Sequence, residues 1–172
     1  MSWLGRLLRS PKPEPMPEDD MALARDLAAA GDHEAALALW HPHARAGHAR
    51  AQNNIGACFA EGLGVERNGM LALKWLTLSA EAGDPVGQRN LAALLFKGED
   101  VDPDIPRAFA LYRLAAEQGD AEAQDMLSWI LLEGEEIPAD PAEAMTWAKR
   151  AAEAGIASAM TRIGMLHHNA LG

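Results

Sequence analysis

Apolar and small residues recur along this chain in two interleaved sets, both with a period of 36 residues. From Ala51 to Gly62 the run AQNNIGACFAEG aligns with GQRNLAALLFKG from 87, AQDMLSWILLEG from 123 and AMTRIGMLHHNA from 159. In that register Ile55, Leu91, Leu127 and Ile163 are equivalent, as are Phe59, Leu95 and Leu131. Apolar side chains four apart form one stripe of a helix, which predicts a first element, helix A, with that stripe buried. Gly56, Ala92, Ser128 and Gly164 also share a position. A site kept small in every copy predicts a second helix crossing closely there.

The second set begins at Asp32, Asn68, Asp104 and Asp140, each able to accept from the unpaired amides of a first helical turn, so each predicts the N-cap of a helix B. Pro141 at the first helical position suits that start, and Glu143 is placed to reach back to the cap. Ala36, Ala72, Ala108 and Ala144 are equivalent along helix B, followed by Leu39, Trp75, Leu111 and Trp147, then by Ala44, Ala80, Ala116 and Ala152. Gly47, Gly83, Gly119 and Gly155 should end helix B in the left-handed conformation that glycine adopts at little cost. Gly62, Gly98 and Gly134 open the A-to-B connectors, which Val65, Val101 and Ile137 should anchor to the core.

These spacings predict helices at about 21–30, 33–46, 49–61, 69–82, 85–97, 105–118, 121–133, 141–154 and 157–168. The fold class expected is all-α: a right-handed α/α solenoid of about four antiparallel helix pairs plus one extra C-terminal helix. The first pair is joined directly at Gly31 and Asp32, as suits an atypical terminal repeat. Ala170-Leu171-Gly172 aligns with Gly62-Leu63-Gly64, so the sequence should either continue into another helix B or use its last helix A as a solvent-facing cap.

Residues 1–19 follow a different pattern and should be separate from a body spanning 20–172. Trp3, Leu4, Leu7 and Leu8 recur at helical spacing around Arg6 and Arg9, and Pro11, Pro13, Pro15 and Pro17 follow as an extended linker. The segment lacks the apolar run of about 7 to 15 residues that a signal peptide needs. It is expected to make at most a weak membrane-surface contact through its four apolar side chains, the alternative being a frayed terminus.

The net charge of −10 narrows the partners further. Without Arg6, Arg9 and Lys12, residues 13–172 carry 12 basic against 25 acidic groups, a balance of −13 that repels phosphate, so no nucleic acid is expected. No run of roughly 18 apolar residues is available to cross a bilayer. The lone Cys58 cannot form an intramolecular disulfide, which makes the cytoplasm, at most peripheral to the membrane, the expected compartment.

The periodic residues resemble the Sel1-like repeat family, related to tetratricopeptide repeats but with a longer connection between the helices. The resemblance covers residues 32–168. It rests on the small residue after the Ile or Leu of helix A, on Gly62-x-Gly64-Val65, and on the runs Trp75 to Gly83 and Trp147 to Gly155. Tetratricopeptide repeats themselves run at about 34 residues. Asp100 and Glu136 depart from the pattern where a second connector glycine is usual, as does His167 where helix A takes a large apolar residue. The resemblance implies a non-catalytic adaptor or scaffold, often bacterial, that binds proteins or peptides. The alternative is a regulatory or membrane-anchoring segment of a larger protein or enzyme complex.

Candidate chemistry is sparse, and neither a cofactor nor a metal is expected. Asp100, Asp102 and Asp104 imitate the start of a calcium loop, but Ile105 and Leu111 occupy the places of its glycine and its bidentate glutamate. His41 and His43 are two apart and point to different sides of a helix, and His167 and His168 sit at a chain end. Cys58 shares a position with Leu94 and Ile130 and should be a core thiol without the exposure a nucleophile needs.

The binding surface follows from helix geometry. At about 100° per residue, positions 50, 53, 54, 57 and 61 share a face opposite the core stripe, and in paired-helix solenoids that face lines the concave groove. The partner-binding residues expected are Asn53, Asn54, Arg89, Asn90, Asp125, Met126, Trp129, Arg162 and Met165. Trp129 stands where the other repeats place Ala57 and Ala93. It should either anchor an apolar partner side chain or fold against Met165 and seal the last pair.

Overall fold

The computed structural model of the chain describes residues 17–133 and 136–170. The N-terminal segment with Trp3, Leu4, Leu7 and Leu8 lies outside the described residues. Nine helices and no strand lie among them: α1 Glu18–Ala29, α2 His33–Arg45, α3 Ala49–Glu61, α4 Gly69–Glu81, α5 Pro85–Lys97, α6 Ile105–Glu117, α7 Ala121–Glu133, α8 Pro141–Glu153 and α9 Ala157–Ala170. Odd-numbered helices are the A helices and even-numbered ones the B helices. Each packs on the next, most extensively within the pairs α3–α4, α5–α6 and α7–α8. Helix α3 also meets α5, and α7 meets α9, whereas successive B helices approach each other less. At those two steps the array is therefore tighter along its A side.

The repeat is visible in its hydrogen bonds. Asp32, Asn68, Asp104 and Asp140 accept from the amides of Ala35, Leu71, Arg107 and Glu143 at 3.1, 3.0, 3.1 and 2.9 Å, capping all four B helices. The amides of Asn68, Asp104 and Asp140 donate back to the carbonyls of Phe59, Leu95 and Leu131 at 2.8, 3.1 and 2.9 Å, pinning each connector to its own A helix. Gly47, Gly83, Gly119 and Gly155 have φ of 96°, 87°, 91° and 91° and end the B helices in the left-handed region. One cap expectation fails. The Glu143 carboxylate does not return to Asp140 but accepts from Arg113 at 2.6 and 3.0 Å and from the Trp147 indole at 3.0 Å. The Arg113 guanidinium holds the Glu143 pKa below the usual carboxylate value, a hydrogen-bonded cation outweighing the opposing effect of burial.

Two core clusters run through the array, one spanning α1 to α3 and one α4 to α9. Val65 packs on the first, and Val101 and Ile137 on the second. At the small A-helix position, a Cβ on Gly56 would lie 2.7 Å from Leu76 Cγ, so α4 crosses α3 there. At Gly164 the same construction meets nothing within 4 Å. In the other repeats the crossing helix is the B helix that follows, and α9 is the last described element.

A titratable group sits between the first two pairs. His48 flanks the start of α3 with its ring 5.4 Å from that of His43, and burial, followed by the His43 charge, lowers its pKa from 6.5. The fold therefore favours neutral His48, and stability is expected to be constant above that value and to fall as pH drops through it. Thermal unfolding at pH 7.5 and 5.5 should show a lower Tm at the acid pH, with the difference reduced in His48→Gln.

Candidate functional site

Among the described residues, depressions lie on the A side of the array between successive A helices. The first, about 390 Å³, lies among α1, α2 and α3 and is lined by Trp40, Asn54 and Ala57 among others. The second, about 260 Å³, lies between α3 and α5, with Ala57, Ala60, Asn90, Ala93 and Lys97 on its walls. The third, about 190 Å³, is lined by Phe96, Ile105, Trp129, Ile130 and Ile137 among others. Ala57 lines both the first and the second, so those two adjoin. Small side chains at 57 and 93 leave the floor open.

The expected partner-binding residues divide into three groups in this setting. Asn54, Asn90, Met126 and Trp129 are half-buried, and Met165 is exposed. Arg89, Asp125 and Arg162 are engaged in ion pairs: Arg89 with Asp120 at 3.2 Å and Glu122 at 2.7 Å, and Arg162 with Asp125 at 2.8 Å. They tie α5 to α7 and α7 to α9 and are already engaged there. Asn53 departs from expectation. It is 3% exposed, its amide oxygen accepting from Asn90 at 2.8 Å and its amide nitrogen donating to Asn54 at 3.2 Å. The close approach of α5 to α3 buries it, a contact that helix geometry in a single repeat does not contain.

Trp129 packs towards the preceding repeat and not, as the second expectation had it, against the last helix pair. Its ring stands edge-on to Phe96 of α5, with centroids 5.6 Å apart and planes at 72°, while Met165 is 54% exposed. The tryptophan thus bridges two repeats towards the N-terminal side and forms one wall of the third depression. Asp125 also accepts from Ser158 Oγ at 2.7 Å, a second polar tie between α9 and α7.

Sequence reasoning missed a buried polar ladder. Gln52, Gln88 and Gln124 are all buried, and their amides donate to the carbonyls of Ala44, Ala80 and Ala116 at 3.1, 3.4 and 3.1 Å. Each adds a second bond to a carbonyl in the last turn of the preceding B helix, one that already accepts from the amide of the terminating glycine Gly47, Gly83 or Gly119. The signal was the glutamine repeated at the second position of three A motifs. Met160 holds that place in α9 and is 56% exposed.

Metal and nucleophile chemistry find little footing. Among the described residues no three His, Cys, Asp or Glu side chains converge. Burial pushes the Cys58 thiol up to about 11, far from a thiolate at neutral pH. His43 meets Asp20 at 3.2 Å between α1 and α2, and His41 lies edge-on to Trp75. No helix among the described residues is long and apolar enough to cross a membrane.

A family model for the Sel1 repeat matches residues 49–84, 85–120 and 121–156, which are the pairs α3–α4, α5–α6 and α7–α8. The chain belongs to the Sel1 repeat family. A Sel1 repeat protein from Oxalobacter formigenes is 34% identical, with a TM-score of 0.78 over 86% of this chain and 59% of its own. The antigen c5321, described as protective and present in uropathogenic Escherichia coli strains, is 31% identical and displays the same repeat fold, with a TM-score of 0.72 over 78% of this chain and 29% of its own. This chain thus spans a little over half of the first and under a third of the second. No curated protein matches. Sel1 repeat proteins generally act as protein-interaction scaffolds and are typically non-catalytic.

Proposed function

We infer that this chain is a non-catalytic bacterial scaffold of the cytoplasm that binds a peptide or protein segment along the groove on its A side. The observation that carries this reading is the row of depressions between successive A helices, the first two adjoining at Ala57 and a third following in the same direction. A row of concavities at repeat spacing suits an extended chain, with half-buried Asn54 and Asn90 able to bond a peptide backbone and the Trp129 ring able to receive an apolar side chain.

Site-specific photo-crosslinking tests it. A crosslinking amino acid at Ala93, on the groove wall, should yield adducts from the native cell extract, whereas one at Lys74, exposed on α4, should not. Adducts from position 74 with none from position 93 would overturn the reading. For a partner captured in this way, Trp129→Ala should weaken binding by about 2 kcal/mol, roughly thirtyfold in Kd. Trp129→Phe, which keeps an aromatic edge against Phe96, separates this effect from lost packing.

A further inference from the structure

The first depression differs from the other two in charge. Its polar lining consists of Arg25, His33, Arg50 and Asn54, and among the described residues no carboxylate contributes to it. Glu61, Glu99 and Asp100 line the second, and Glu133 and Glu136 the third. In a chain of net charge −10, a concavity walled by cations and an amide is the exception. Arg25 is exposed and joins none of the ion pairs among the described residues. Arg50 spends its Nε and one terminal nitrogen on Asp84, at 3.1 and 2.7 Å, which leaves the other terminal nitrogen uncommitted.

The apolar part of the lining adds a second observation. Trp40 is 5% exposed, and its indole N–H meets no acceptor of the protein. Buried donors without a partner are uncommon, because an indole N–H gives up hydrogen bonds to water on burial and needs another acceptor in return. Around Trp40 stand Met21, Ala28, Ala57 and Leu63. Apolar walls beside two guanidinium groups suit a ligand that is apolar at one end and anionic at the other.

We propose that the depression among α1, α2 and α3 is a specificity pocket for a peptide segment in which an apolar side chain stands next to an aspartate or glutamate. The apolar side chain sits against Met21 and Leu63, a backbone carbonyl of the peptide accepts from the Trp40 indole N–H, and the carboxylate faces Arg25 and Arg50. The proposal deepens the groove reading and rests on it for the course of the rest of the peptide, past Ala57 towards α5.

The test uses the full chain and its indole N–H resonances, with that of Trp40 assigned by its loss in Trp40→Phe. The probe is a pool of N-acetylated, C-amidated hexapeptides, each with leucine or phenylalanine beside aspartate or glutamate in a glycine-serine background. A matched pool carries asparagine or glutamine instead. The acidic pool is expected to shift the Trp40 resonance and the neutral pool to do so at least tenfold more weakly. Arg25→Glu, a change on an exposed helix face, should raise the apparent Kd of the acidic pool at least tenfold. Equal shifts from both pools, or an unchanged Kd in Arg25→Glu, would overturn the proposal. An unmoved Trp40 resonance would also overturn it, and if Trp129 responded in that experiment the groove reading would still stand.

Discussion

Leu127→Ala is expected to cost about 2–5 kcal/mol of unfolding free energy, the range for emptying a fully enclosed leucine site. Leu127 is wholly buried in α7 and belongs to the cluster that runs from α4 to α9. Its surroundings come from several helices, so the cavity cannot close by the shift of one side chain. The repeat supplies internal controls. Leu91 is the equivalent residue one repeat earlier and is 1% exposed, so Leu91→Ala should cost a similar amount. Ile163 is equivalent one repeat later but only half-buried, since among the described residues no B helix follows α9. Ile163→Ala should therefore cost clearly less. Urea titrations of the three variants would measure this, with the m-value nearly unchanged if the loss is one of packing. Equal losses at 127 and 163 would show that something covers α9 in solution and would contradict the exposure of Met160 and Gly164.

The ranking of these positions was legible in the sequence because each repeat places its core residues by local rules. A cap, a stripe four residues apart and a terminating glycine are all properties of one helix, and a period of 36 repeats them in view. The second large residue row of the B helices was less visible. Trp40, Leu76, Tyr112 and Ala148 are buried more uniformly than the row of Leu39, Trp75, Leu111 and Trp147, of which only Trp147 is fully buried. Their sizes differ so much that alignment by residue type passes over them. Burial also pushes the Tyr112 phenol up to about 12, as expected for a ring fixed in the core.

The candidate site was less legible because what distinguishes it arises between repeats. Helix geometry placed Asn54, Asn90 and Trp129 on the groove side, but the burial of Asn53 and the packing of Trp129 on Phe96 depend on how one repeat leans on the next. The same holds for departures from the repeat pattern. Gly64, with φ of 68°, lies against the backbone of His33 and Glu34, where an added Cβ would come within 2.8 Å. One repeat later the connector residue is Asp100, and the helix residue it meets is Gly69, where an added Cβ would come within 2.4 Å of the aspartate Cβ. The bulk has moved from one side of the contact to the other. Read one position at a time, Asp100 looks like a lost glycine, and the gain of Gly69 in place of His33 looks unrelated to it.

A second exchange of this kind gives the other large prediction. Gly87 in α5 faces Ser79 in α4, and a Cβ added to Gly87 would stand 2.1 Å from Ser79 Oγ and 2.7 Å from its Cβ. The equivalent pairs in the next two repeats, Ala115 with Ala123 and Ala151 with Ala159, are alanine on both sides and wholly buried. Serine opposite glycine thus occupies the space of alanine opposite alanine, and the hydroxyl uses it to donate to the Ala49 carbonyl at 2.8 Å. Gly87→Ala alone should cost about 1–3 kcal/mol by overpacking, even though alanine is the better helix former. Ser79→Ala alone should cost about 1 kcal/mol through the lost hydrogen bond. The double variant should be more stable than Gly87→Ala, because removing the hydroxyl relieves the closest overlap and recreates the pair that the later repeats use. A double-mutant cycle by thermal or urea unfolding measures the coupling, which should be favourable and at least about 1 kcal/mol. Additive losses would mean that α4 and α5 separate freely to admit the methyl group, and that the small residues at this crossing do not set the spacing between repeats.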